Sequence, residues 1–116
     1  MTIVKLGNCY ESSWKLHSKK YPVLVHGIVT GSAGKIKGKK FGHAWLEFEN
    51  GISFCYDAEL DQLFPLELYY RAGKIEYTRK YSLWLAVKES TIHGTYGPWD
   101  SKIFKVDDKT LKELKN

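Results

Sequence analysis

Gly42-His43-Ala44-Trp45-Leu46-Glu47-Phe48, Glu49-Asn50-Gly51 and Ile52-Ser53-Phe54-Cys55-Tyr56-Asp57 form one continuous stretch, two short apolar runs around a turn signal. It reads as a β-hairpin, and its register follows from which residues must share a face. A two-residue Asn50-Gly51 turn pairs Ala44 with Asp57 and Phe48 with Ser53, which mixes both faces. A three-residue loop, Glu49-Asn50-Gly51 with Gly51 in the left-handed conformation, pairs Phe48 with Ile52 instead. Ala44, Leu46, Phe48, Ile52, Phe54 and Tyr56 then share one face; His43, Trp45, Glu47, Ser53, Cys55 and Asp57 share the other. Because a one-residue slip sends an apolar set to the wrong side, this segregation selects the longer loop. His43 then stands directly opposite Asp57, with Cβ atoms about 5 Å apart. The expected arrangement is a His–carboxylate pair on a polar face whose reverse side is core. Such a pair suits a general base and the group that orients it.

Around this hairpin, the 116 residues are enough for one domain, 1–116, with a single core. A hydrophobic content of 43% and an aromatic content of 15% exclude a disordered chain. No apolar run approaches the roughly 20 residues of a membrane span, and Met1 to Lys5 carry no signal-peptide core, so the expectation is a cytoplasmic protein. Two cysteines do not make a disulfide scaffold, although a single bridge stays open. Of the net charge of +5, Lys35, Lys37, Lys39 and Lys40 fall in one Gly-rich loop. A solvated loop is preferred there over a phosphate-binding patch, and nucleic acid is not the expected partner.

Asn8 is placed as a helix N-cap, with Glu11 completing a capping box. Tyr10, Trp14, His17 and Tyr21 follow at helical spacing, for an amphipathic helix over about 9–20 that Pro22 ends. Cys9 thus falls in the first turn, where unsatisfied N–H groups and the helix dipole favour an anion, and becomes the candidate nucleophile. Residues 23–30 read as a strand buried on both sides, with His26 a packing histidine. Gly31 to Gly38 read as a flexible loop. Pro65 to Gly73 describe a two-turn helix, Lys74 to Tyr81 a half-exposed strand, and Ser82 the cap of a helix ending near His93-Gly94. Thr95 to Asp100 form a loop, and Asp107 is placed as the cap of a short C-terminal helix. The expected fold class is α+β, an N-terminal helix packed on an antiparallel sheet.

Cys9, His43 and Asp57 have the types and order of a nucleophile, a general base and an orienting carboxylate. Here the chain resembles a family. Gly7-Asn8-Cys9-Tyr10-Glu11-Ser12-Ser13 resembles the G-x-C-x-x-x-[AS] opening of the transglutaminase-like branch of the papain-like cysteine hydrolases. His43-Ala44-Trp45-Leu46-Glu47 resembles that branch's H-A-W-V-E strand, and Tyr56-Asp57 its aspartate strand. Small bacterial proteins that cleave the leader from lasso-peptide precursors are similar around the His strand. The resemblance covers roughly residues 7–58 and implies a papain-like core and acyl transfer through a thioester: hydrolysis of a peptide or other amide, or transamidation. It implies no metal and no cofactor.

Around that site, the Cys9 backbone N–H is the expected oxyanion donor. Trp45 and Glu47 share the His43 face and are weaker candidates for substrate contact, with sheet-holding the other role for Glu47. Trp99 is a candidate cover for the site, although anchoring its loop to the core is preferred. Cys55 falls on the same face and is open as a rival nucleophile, a disulfide partner or packing; lacking a helix terminus, it is ranked below Cys9. Three rival readings stand beside the enzyme: a zinc site, a non-catalytic binder of a peptide or small ligand on the same fold, and a basic nucleic-acid binder.

Overall fold

Val23–Thr30, five of whose eight residues are β-branched, forms the strand β1, and all but its end residues are buried. The computed structural model describes residues 8–49 and 52–115. Around β1 the order is α1 (Asn8–Leu16), β1, β2 (Lys40–Glu47), β3 (Phe54–Asp57), β4 (Gln62–Pro65), α2 (Leu66–Ala72), β5 (Tyr77–Tyr81), α3 (Leu83–His93) and α4 (Ser101–Lys115). The strands make one antiparallel sheet in the order β4-β3-β2-β1-β5, so the fold is α+β. No helix among the described residues is long and apolar enough to cross a membrane.

Both sides of the sheet are packed. On one side, Leu24, Leu46, Tyr81, Ala86 and Trp99 form a core cluster beside a second of Cys9, Tyr10 and Ala44, which seats α1. α4 joins that side through Ile103, Asp107 and Thr110, all buried, with the Thr110 hydroxyl donating to the Lys40 carbonyl. On the other side, Val25, Val29, Phe41, Trp45 and Cys55 pack under α2 through Tyr69 and Tyr70. The His43 face, expected to be polar with core only on its reverse, is therefore a second packed layer.

The hairpin register also differs. Leu46 pairs with Tyr56 and Glu47 with Cys55, two residues away from the expected Phe48–Ile52 alignment. A shift of two keeps every side chain on its assigned face, because the strand period is two. What changes is the connection, which is longer and whose Asn50 and Gly51 lie outside the described residues. Ile52 and Phe54, expected in the core, are about half exposed.

Three helix boundaries move as well. Asn8 is already helical, so it is not the cap, and α1 stops at Leu16 and not near 20. Tyr21 reaches the sheet by a bend instead, stacking on Tyr56 at 4.9 Å between ring centres. Ser82 caps α3 as expected, its Oγ accepting the Leu85 N–H at 3.2 Å, and Gly94 ends it with φ 67°. The C-terminal helix is long, and its cap is Asp100, whose Oδ1 accepts the N–H groups of Lys102 and Ile103. Asp107 sits inside that helix, buried, and accepts the Tyr10 hydroxyl at 3.1 Å.

Candidate active site

The first turn of α1 and the middle of β2, the central strand of the sheet, bring Cys9 and His43 together. Gly42 makes the approach possible. A Cβ there would lie 2.1 Å from the Tyr10 hydroxyl oxygen and 2.9 Å from Ile103, so only glycine lets α1 and α4 close over this part of β2. Cys9 is buried, and its Sγ, a His43 ring nitrogen and a Glu59 carboxylate oxygen all lie within 4.8 Å of one another.

Asp57 holds the ring. Its Oδ2 accepts His43 Nε2 at 3.0 Å and the Tyr69 hydroxyl at 2.6 Å, while Oδ1 accepts the N–H groups of Glu59 and Leu60. With Nε2 committed to the carboxylate, Nδ1 is the nitrogen available to the sulfur. Continuing the observed register, Asp57 lies level with Trp45 and not opposite His43, so the pair forms along a diagonal. Diagonal neighbours on one face stay within reach of long side chains.

The electrostatics are coupled. Burial works against a charged His43 ring, but a Cys9 thiolate and the hydrogen bond and charge of Asp57 outweigh it, holding the imidazole well above its ordinary value. Burial likewise pushes the Asp57 carboxyl up, and the His43, Tyr69 and Leu60 hydrogen bonds and the imidazolium charge bring it below the usual carboxylate range. Glu59 is raised by burial and by Asp57, with His43 opposing. Cys9, His43 and Glu59 offer sulfur, nitrogen and oxygen donors, a set that suits zinc.

Other expected participants lie elsewhere. Trp45 is completely buried and donates its indole N–H to Glu47 at 2.9 Å, so it walls no cleft. Glu47 is buried as well, accepts the Tyr70 hydroxyl and pairs with Lys80 at 3.1 Å; its role is to hold the sheet to α2. Trp99 packs on the opposite side of the sheet, against His26 and Tyr81, with its indole N–H on the Thr95 carbonyl. Cys55 is fully buried and unbridged, outside the cavity lining, and burial with the nearby Glu47 and Asp57 charges pushes its thiol up to about 12, which disfavours the thiolate. In the basic loop, Lys39 and Lys40 pair with Glu113 and Glu76.

Tyr69 and Glu59 join the site without a sequence signal of their own. Tyr69 reads only as a residue of a short helix, and its arrival depends on how α2 docks. Glu59 follows Asp57 in a tight turn, and an Asp whose side chain accepts the next N–H groups is the one local clue to it. Beside these groups opens a cavity of about 490 Å³, lined by Cys9, His43, Asp57 and Glu59 at one end and by apolar side chains beyond. Comparison with family models, curated proteins and solved structures finds no match to this chain.

Proposed function

We propose that this protein transfers acyl groups through a thioester on Cys9, as the resemblance to the transglutaminase-like branch of the papain-like hydrolases implies. One juxtaposition supports the reading: a first-turn helical cysteine within 4.8 Å of a histidine that an oriented, hydrogen-bonded aspartate holds at 3.0 Å, on the wall of a cavity. In this mechanism Cys9 gives its proton to His43, and the sulfur adds to the substrate carbonyl carbon. The backbone N–H of Cys9, which has no acceptor within its own helix, receives the developing oxyanion. His43 returns the proton to the leaving amine or alkoxide as the carbonyl–heteroatom bond breaks. Water or an amine then adds to the thioester, giving its proton to His43, and the C–S bond breaks. Asp57 keeps the ring in one tautomer and offsets its positive charge.

The test is alkylation by iodoacetamide at pH 6, with sites assigned by mass spectrometry. Cys9 should label faster than an ordinary exposed thiol by roughly tenfold or more, and His43→Ala should abolish the excess. Slow labelling of Cys9, identical in wild type, His43→Ala and Asp57→Ala, would leave a binding module on the same fold. The donor set of Cys9, His43 and Glu59 favours a second reading, a zinc site. Metal analysis of the purified protein separates the two: stoichiometric zinc, with labelling that appears only after chelation, replaces the acyl-transfer reading.

A further inference from the structure

We propose that the cavity beside Cys9 holds an apolar chain attached to the acyl carbon, so that the preferred substrates are neutral esters, thioesters or amides of apolar acyl groups. The inference rests on the acyl-transfer reading. At about 490 Å³ the cavity falls within the roughly 300–1,000 Å³ of sites for small organic ligands. Beyond the cluster of Cys9, His43, Asp57 and Glu59, its walls are mainly apolar, with Val29, Ile36, Phe41, Phe64, Leu68 and Ile75. The hydroxyl side chains Thr30, Ser32 and Tyr69 line it too.

This wall is drawn from separate parts of the chain. β1 and β2 supply Val29 and Phe41. α2 supplies Leu68, which is 55% exposed and stands at the mouth. The turn between β1 and β2 folds back to supply Ile36, closed by the Gly31 N–H on the Lys39 carbonyl and the Gly38 N–H on the Gly31 carbonyl, both at 2.9 Å. A Cβ on Gly31 would lie 2.2 Å from the Ile36 carbonyl oxygen, so the glycine is what permits this closure.

Charge narrows the substrate class. Although the chain carries 18 Lys and Arg residues, none is among the described residues lining the cavity. The titratable side chains there that can carry negative charge include Asp57 and Glu59, and the His43 ring is already paired with Asp57. A free carboxylate entering the cavity meets repulsion from Asp57 and Glu59 and no Lys or Arg among the described lining to neutralise it, whereas a neutral acyl compound meets no such repulsion. The acyl side is assigned because the group bonded to Sγ stays through the life of the thioester and needs an enclosed place. The leaving group must depart past His43.

The experiment measures acylation of the full-length protein by p-nitrophenyl acetate, butyrate, hexanoate and octanoate, with intact mass and peptide mapping locating the adduct. The second-order rate at Cys9 should climb roughly fourfold per methylene until the cavity is filled, the factor expected for burying one CH₂. In Leu68→Asp, which alters an exposed side chain at the mouth, the rate should depend less steeply on chain length. Esters of N-acetylphenylalanine and N-acetylglycine form a second arm; a larger gain from the phenylalanine side chain than from octanoate assigns the cavity to peptides, the reverse to fatty acyl groups. A flat acyl series with Cys9 still acylated overturns the cavity assignment and leaves the thioester chemistry standing. So does a rate that responds to an apolar leaving group and not to the acyl chain. Failure of every ester to acylate Cys9 overturns both.

Discussion

Asp57 accepts four hydrogen bonds, from His43, Tyr69, Glu59 and Leu60, which is the full acceptor capacity of a carboxylate. Only 3% of its side chain is exposed, so each donor stabilises a charge that water cannot reach. Removing the Tyr69 hydroxyl should therefore cost stability as well as alignment. Tyr69→Phe is expected to lower the unfolding free energy at pH 7 by about 1.5–3 kcal/mol, the value of a hydrogen bond to a buried charge. The pH dependence has a definite sign. A carboxylate held below its unfolded value stabilises the fold above that unfolded value and loses the contribution as pH falls through the folded one. With its depression reduced, Asp57 in Tyr69→Phe should give a shallower loss on acidification; urea unfolding at pH 7 and near pH 2, below the ordinary carboxylate range, reads both effects. Equal stability of Tyr69→Phe and wild type at pH 7 would show that the hydroxyl does not support the carboxylate. At this scale the sequence discloses His43 and Asp57 because face parity is a local property of two strands. Tyr69 is hidden because its place depends on a helix crossing the sheet.

Elements are legible where their signals are local. Ser82 and Gly94 mark the ends of α3 through a side-chain oxygen and a positive φ, and both can be read from the residues alone. α4 is harder, because the stripe it turns to the sheet, Ile103, Asp107 and Thr110, is mostly polar. An apolar periodicity search passes over it and places Asp107 as a cap. β4 and the shifted hairpin register fail for a related reason: strand pairing is fixed by partners distant in sequence. Asp100 carries the consequence of the correct boundary. Its Oδ1 caps α4, and its Oδ2 accepts Tyr77 and Arg79 of β5, so one side chain ties a helix start to an edge strand. Asp100→Ala should destabilise the protein by about 2 kcal/mol or more, a cap plus shared hydrogen bonds, and Asp100→Asn by less because the amide oxygen still caps. Equal losses in the two variants, read by urea unfolding, would mean that the charge matters and the cap does not.

At the scale of the whole molecule, the sheet is a partition with different chemistry on its two sides, and two histidines show it. His43, on the α2 side, sits among groups that support its charge. His26, on the α1 side at the centre of β1, is fully buried among the rings of Tyr10, Tyr81 and Trp99, at 5.0, 5.1 and 4.9 Å, and among the described residues neither ring nitrogen has a hydrogen-bond partner. Burial pushes its imidazole down to about 3; Asp100 opposes and the His43 charge adds to the effect. The linkage follows from that direction. Below about pH 6.5 the unfolded chain binds a proton at His26 that the folded chain refuses, so stability falls as pH falls, by about 1.4 kcal/mol per pH unit at the limit. Half-buried His17, also lowered by burial, contributes with the same sign, while Glu59 and Asp107, held above their ordinary values, act against it. His43, held high, has already contributed fully below pH 6.5 and adds no slope there. Replacing His26 with phenylalanine keeps an aromatic ring of similar volume and removes the proton site. Wild type should lose about 2 kcal/mol between pH 6.5 and pH 5 through His26, and His26→Phe should lose that much less over the same interval. Chemical denaturation of both proteins at the two pH values measures the difference directly. If the two lose equal stability, His26 is not the group whose protonation destabilises the fold in this interval, and half-buried His17, lowered by burial in the same direction, takes its place.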